Sequence, residues 1–243
     1  MKAFSALYAA TAREFLRDKM AILFTLLLPL IMAAFFGLIF RGGDITQAMS
    51  YVPGMLALGF LWLGVFGVAP PLVQMREQQI LRRLGATPLR RSTLMAAQVA
   101  WRLTVGLIQA ALLITYGFAV YHMVIPAGQW LPLVGAILLG GAVLVSLGFL
   151  LASLAKSNES VVGLGQVVQF PMMFLSGILF PMEMLPSFLR PAVNAMPVTY
   201  LGDALRQTML GTPGLFALWV DFAVLAGCLV LFSGLSVRFF RWE

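Results

Sequence analysis

Charge is scarce in this 243-residue chain: Asp, Glu, Lys and Arg make up 10% of it, against 61% hydrophobic residues. A soluble domain carries about 25% charged and roughly 45–50% apolar residues. The composition therefore excludes a soluble globular protein and points to a polytopic membrane protein. There is one cysteine, Cys228, inside an apolar run, which excludes an intrachain disulfide framework and a cysteine-based metal site. There is one histidine, His122, and no H-E-x-x-H, so a zinc protease of that kind is excluded. The lysines are Lys2, Lys19 and Lys156, and none stands in G-x-x-x-x-G-K-[ST]. A P-loop needs that lysine and its backbone amides to hold phosphates, so the chain is no ATPase of this type. Leu175-Ser176-Gly177 lacks the first glycine of an intramembrane G-x-S-G nucleophile, with Phe174 in its place. Ser176 reads instead as a helix-packing residue.

Ion-coupled carriers keep ionisable groups deep in the membrane. Here Arg102, His122 and Asp221 lie near the ends of apolar runs and the centres hold none. That pattern disfavours a proton-driven carrier, and His122 reads as an interfacial residue. The net charge of +7 invites a nucleic-acid partner. The basic residues nevertheless sit in short segments beside apolar runs, where they set membrane topology and lie within reach of anionic headgroups. No nucleic-acid partner is expected.

The apolar runs predict an all-α polytopic membrane protein of six spans, at 20–40, 51–73, 94–124, 130–155, 161–180 and 215–237. The length suffices for about six spans of ~20 residues with short connections. The first run is too long for the ~7–15-residue core of a signal peptide, so it is expected to remain as a span. Before it, Phe4, Leu7, Tyr8, Thr11 and Phe15 share one helical face while Lys2, Arg13 and Arg17 lie opposite. This is the pattern of an interfacial helix over residues 1–19. Pro29 is a candidate kink, and Pro70-Pro71 are expected to break or bend the end of the second span. Arg102, near the start of the third, is expected to snorkel to the interface. Residues 181–211 are too apolar for a solvated loop. Pro186, Pro191 and Pro197 cut them into pieces, with Val198, Leu201, Leu205 and Met209 on one helical face. They predict short helices at or dipping into the membrane surface.

The stretch from Gln74 to Ser92 carries five of the sixteen Lys/Arg residues. Ile80, Leu81 and Leu84 fall at helical spacing. Gly85 suits a helix C-terminus, and Thr87-Pro88 suit the N-cap and first position of a new helix. The expectation is a short amphipathic helix, a tight turn and the start of the next span. With six spans and the N-terminus inside, twelve basic residues fall on the inner side and three, Arg41, Arg190 and Arg206, on the outer. The positive-inside rule then places both termini in the cytosol. An ordered basic helix with no energy source of its own implies a separate cytosolic partner.

The residues that carry this pattern also resemble a known family. Arg76-Glu77-Gln78-Gln79-Ile80-Leu81-Arg82-Arg83-Leu84-Gly85-Ala86-Thr87-Pro88 resembles the R-E-x-x-T-L-E-R-L-x-A-T-P segment of type-2 ATP-binding-cassette (ABC) exporter permeases. Phe174-Leu175-Ser176-Gly177-Ile178-Leu179-Phe180-Pro181, with Met182-Glu183-Met184-Leu185-Pro186, is similar to that family's F-L-S-G-x-x-F-P-x-x-x-L-P. Met196-Pro197-Val198-Thr199-Tyr200 and Asp203-Ala204-Leu205-Arg206 resemble N-P-x-T-Y…D-A-L-R. Ile80, Arg82 and Met196 depart from the pattern, standing for Thr, Glu and Asn. The resemblance implies a membrane-spanning subunit without an ATP site, with ATP and Mg held by a separate nucleotide-binding ATPase. It implies a coupling helix at 76–85, with Glu77, Ile80, Leu81, Arg82, Arg83 and Leu84 meeting that ATPase. It further implies a second permease copy, either identical or a homologue, and a substrate path along Gln166, Gln169, Met172, Met173 and Phe174. External re-entrant helices at 181–211 would form a gate that includes Phe180, Pro181, Pro197 and Tyr200. Members export drugs, lipids or lipid-linked glycans across the cytoplasmic membrane of bacteria and archaea. The competing class is a passive scaffold or lipid-moving protein with no ATPase.

Overall fold

The structure, a computed structural model, describes residues 2–39, 49–80, 83, 91–177 and 186–239. Among them there are helices and connections but no strand. Helix α1 (Lys2–Arg17) leads to α2 (Lys19–Ile39), then α3 (Tyr51–Glu77), α4 (Arg91–Tyr121), α5 (Trp130–Leu154) and α6 (Asn158–Leu175). The short α7 (Arg190–Asn194), α8 (Pro197–Leu210) and α9 (Leu218–Phe239) follow. Among the described residues five helices are long and apolar enough to cross a membrane: Lys19–Ile39, Tyr51–Glu77, Thr93–Tyr121, Ala127–Leu154 and Leu218–Phe239. The protein is a polytopic all-α membrane protein. The stretch expected as the fifth span, 161–180, is helical as α6 over 18 residues. Asn158, Glu159, Gln166 and Gln169 dilute its hydropathy, and residues 178–185 lie outside the described set.

Helix α3 is the hub, packing against α2, α4, α5, α6 and α8. Inside a bilayer, lipid is as apolar as a leucine side chain, so helices associate through close van der Waals packing rather than water exclusion. Gly64 and Gly148 provide that contact between α3 and α5. A Cβ on Gly148 would lie 2.0 Å from the Gly64 carbonyl oxygen, and one on Gly64 would lie 2.2 Å from that of Leu144. Only glycine permits this approach. Helix α5 also packs on α9, where the Ser146 and Ser233 hydroxyls meet at 3.2 Å. The outer face of α9 is apolar, with Trp219, Val230 and Val237 exposed. In a chain of this composition lipid is the solvent for that face.

Prolines act differently from the sequence expectation. Pro70 and Pro71 do not break α3, which continues through them to Glu77. Their missing N–H groups leave the carbonyls of Phe66 and Gly67 without the usual i−4 donor. Burial of Val68, Ala69, Leu72 and Val73 holds the helix together regardless. At about 1.5 Å per residue its 27 residues measure ~40 Å. That exceeds the ~30 Å hydrocarbon core. Before Pro29, by contrast, residues Leu23–Leu27 form a π-helical turn. A turn of that kind accommodates a residue that cannot donate to its i−4 carbonyl.

Helix α1 is fastened to α4. Thr11 and Phe15 are buried, Tyr8 donates to Thr104 Oγ1 at 2.9 Å, and Tyr8 and Phe15 meet Trp101 edge-on at 5.5 and 5.7 Å. Asp18 makes the corner into α2, its Oδ1 accepting from Met20 N and Ala21 N at 3.0 Å each. This satisfies helix-terminal amides that would otherwise lack partners.

Helix α4 ends at Tyr121, short of the expected 124, because His122 takes φ +51° in the left-handed region. Histidine is one of the side chains enriched there, and the turn lets Met123 N close back on Gly117 O at 3.2 Å. A capping role for His122 follows.

Candidate functional site

Among the described residues, the end of the bundle where α1 meets α2, α3 ends and α4 begins carries most of the basic ones. Helix α3 leaves the core carrying Gln74, Met75, Arg76 and Glu77, then turns at Gln78-Gln79. Gln79 sits at φ +55°, a conformation that costs a side-chain-bearing residue about 1–2 kcal/mol. Arg83 N donates to Gln79 O at 3.1 Å, an i→i−4 bond, and Ile80 and Arg83 are both helical. These two are the described residues of the stretch that follows the turn. Ile80 is half-buried and Arg83 is exposed, while Leu81, Arg82 and Leu84 lie outside the described residues.

The expected helix at 76–85 is thereby corrected. Arg76 and Glu77 are the last turn of α3, and the break comes at Gln78-Gln79. Both residues face the α5–α6 connection. The Arg76 guanidinium donates to Ala152 O at 3.5 Å and to Ala155 O, and Glu77 Oε1 accepts from Asn158 N at 2.9 Å. A cation thus sits at the C-terminus of α5 and a carboxylate at the N-terminus of α6, each complementing the helix macrodipole there. The turn has its own cap: Ser157 Oγ accepts from Ser160 N at 3.2 Å and Ser160 Oγ accepts from Ser157 N at 2.9 Å. Glu77 therefore serves α6, and is not on the helix that follows the turn.

Arg102 does not snorkel. It is 8% exposed and lines a cavity of about 20 Å³ with Glu14, Val68, Pro71, Gln98 and Phe149. That volume holds a water molecule. The Glu14 carboxylate acts on Arg102 electrostatically from α1. Docking of α1 over this region, which helical periodicity cannot reveal, encloses the side chain.

At the opposite end α8 is buried on nearly every side, packed on α3, α5 and α9. The expected amphipathic face is buried, and so are Thr199 and Asp203 from its other faces. Asp203 accepts from Leu215 N and Phe216 N at 3.0 Å each. The Gln207 amide reaches Asp203 Oδ2, Phe216 O and Asp221 Oδ2 at 3.2, 3.1 and 2.9 Å. Asp221 is fully buried, so its place in the first turn of α9 gives it no contact with the surface. Pro197 opens α8. Tyr200 donates to Asn194 O at 2.7 Å and stacks on Phe216 at 5.0 Å. Burial, with the Asp221 carboxylate adding to it, pushes the Tyr200 phenol above its usual range. Phe180 and Pro181 lie outside the described residues.

The five expected path residues do not share one surface. Gln166 and Phe174 are exposed, and Phe174 stacks on Phe170 at 6.5 Å. Met172 and Met173 are half-buried against the core, and Gln169 is 4% exposed.

These features define a polytopic helical membrane protein with an amphipathic helix strapped to its basic end, an ordered turn projecting from its hub helix, and a buried helix plugging the opposite end. Residues 2–210 match the ABC-2 type transporter family, and the chain belongs to that family. Nodulation protein J of Rhizobium leguminosarum bv. trifolii is 28% identical over 71% of this chain and 66% of its own length. The daunorubicin resistance ABC transporter permease protein DrrB1 of Streptomyces coeruleorubidus is 31% identical over 47% of this chain and 41% of its own. The putative transport permease YvfS of Bacillus subtilis is 20% identical over 93% of this chain and 92% of its own. The match thus covers just under two thirds of the nodulation relative and less than half of DrrB1.

Proposed function

We propose that this chain is the permease subunit of an ABC exporter in the cytoplasmic membrane, with both termini cytosolic. A separate nucleotide-binding ATPase, which holds the ATP and Mg, drives it. Two permease copies and two ATPases make the transporter. The observation that carries this reading is the turn at Gln78-Gln79. It joins the basic segment that begins at Ile80 directly to the hub helix, which supports a reading in which a protein gripping that segment moves α3 as a lever. The absence of a phosphate-binding lysine motif from this sequence is consistent with an external energy source. Family membership and the names of the relatives support the exporter class.

In this reading Ile80, Leu81 and Leu84 pack in the docking surface while Arg82 and Arg83 pair with acidic groups of the ATPase. Helix α8, with Pro197 and Tyr200, closes the outer exit together with Phe180 and Pro181. The substrate is an amphiphile of the drug, lipid or lipid-linked glycan class, and Gln166, Met172, Met173 and Phe174 are the side chains offered to it. Methionine and aromatic surfaces repack around varied apolar ligands.

The test is purification of tagged chain from its native membrane in mild detergent, with copurifying chains identified and ATPase activity assayed. A copurifying P-loop ATPase that is lost on Leu84→Asp supports the reading. Intact chain with no ATPase, in several detergents and at native expression, overturns it. Arg83→Glu should leave the chain in the membrane and the ATPase turning over while abolishing coupled transport.

A further inference from the structure

Arg76 and Glu77 are adjacent in sequence, yet they bind the two sides of a connection some eighty positions away. Arg76 takes the carbonyls of Ala152 and Ala155 at the end of α5, and Glu77 takes the amide of Asn158 at the start of α6. Ala152 O is one of the terminal carbonyls that a helix cannot satisfy internally. The amide that would ordinarily close that turn, Lys156 N, is instead committed to Ser160 Oγ at 3.1 Å. Asn158 N is likewise a terminal donor of α6. The last turn of α3 thus supplies missing partners to both helices. The docking loop leaves α3 immediately after Glu77, so force applied to that loop reaches this junction before any other part of the bundle.

We propose that Arg76 and Glu77 are positioning residues that carry the stroke of the docking loop into α6, so that α6 moves together with α3 when the ATPase acts. The proposal rests on the reading of a separate ATPase given above and adds the route within this chain. Helix α6 packs on α3, α5 and α7, and Gln166, Val167, Phe170 and Phe174 are exposed along it. A pull at its N-terminus therefore displaces a helix with a free side, whereas α3 is enclosed by its neighbours. The exposed charges beside the junction, Lys156 and Glu159, travel with it.

The experiment uses the full chain with its copurified ATPase, in a Cys228→Ser background. Spin labels at Glu159→Cys in α6 and Arg238→Cys in α9, both exposed positions, report the distance between those helices. Labelled chain is diluted into unlabelled chain so that only intrachain distances are read. ATP with vanadate should shift the distance in the parent. Glu77→Leu combined with Arg76→Leu should abolish the shift while the same amount of ATPase copurifies, and Glu77→Gln with Arg76 intact, whose amide oxygen still accepts from Asn158 N, should retain much of it. A merely structural role would lower yield and thermal stability and leave the shift in the surviving protein. If the double variant fails to fold, Glu77→Leu alone decides by the same reading, because it removes the acceptor of Asn158 N and leaves the Arg76 contacts. A shift that persists in the leucine variants overturns the proposal. So does loss of the ATPase on substitution, which would make these residues docking contacts. A parent that retains its ATPase but shows no shift overturns the route alone. A parent that brings down no ATPase overturns the subunit reading, and the route with it.

Discussion

Gly148→Ala should be among the most damaging single-methyl additions to this protein. The new Cβ would sit 2.0 Å from Gly64 O and 2.8 Å from Val68 Cβ. The first figure is roughly 1.4 Å short of the 3.4 Å at which ordinary contact begins. One obstacle is backbone and the other a Cβ, so neither can rotate away and α3 and α5 must separate. Overpacking costs typically 1–3 kcal/mol, and a clash with backbone belongs at the upper end, about 3 kcal/mol. For a chain of this size each kcal/mol lowers Tm by roughly 2–4 °C, which predicts a loss of about 6–12 °C. Fluorescence-detected size-exclusion chromatography after heating measures it. Gly163→Ala and Gly227→Ala are the controls, since a Cβ there meets nothing within 4 Å. Alanine is the better helix former by up to about 1 kcal/mol, so both should be neutral or slightly stabilising. Equal Tm values for Gly148→Ala and the controls would refute the close approach of α3 and α5.

Glu14→Gln should destabilise the protein more than Arg102→Met in the same thermal assay. The first removes a carboxylate that acts electrostatically on a buried cation, whereas the second removes the charge and fills its space; the reverse order would refute the enclosed position of Arg102. Asp203→Ala strips the acceptor from Leu215 N and Phe216 N. It should cost about 1.5–3 kcal/mol per lost charge-assisted bond as an upper bound and speed amide exchange across 211–217, with unchanged exchange counting against it. Gln79→Gly should be stabilising or neutral and Gln79→Val destabilising, because only the left-handed turn separates glycine from other residues at that site; equal melting of the two would show that the turn is absent.

The sequence alone determined the membrane class and the helical architecture. Those follow from composition and from apolar runs of bilayer length, which act locally and need no knowledge of neighbours. It also carried the family resemblance now matched over residues 2–210. It placed Tyr8 and Phe15 on the face that α1 buries. What it could not supply are the relations between residues distant in the chain.

Nothing near Glu77 announces that its carboxylate belongs to Asn158, so by local pattern it reads as part of the helix that follows. Arg102 lies ten residues or so into its helix and by length alone can reach water. Packing among α1, α3 and α5, which brings Glu14, Val68, Pro71 and Phe149 around it, turns it inward. Pro70 and Pro71 carry a strong local signal for a break, and the packing of α3 against its neighbours overrides it. Asp203, Gln207 and Asp221 become one buried polar knot only because α8 is inserted between α3, α5 and α9. In each case the side chain's own preference is weak or satisfied in more than one way. The choice falls to partners that tertiary packing brings within hydrogen-bonding distance.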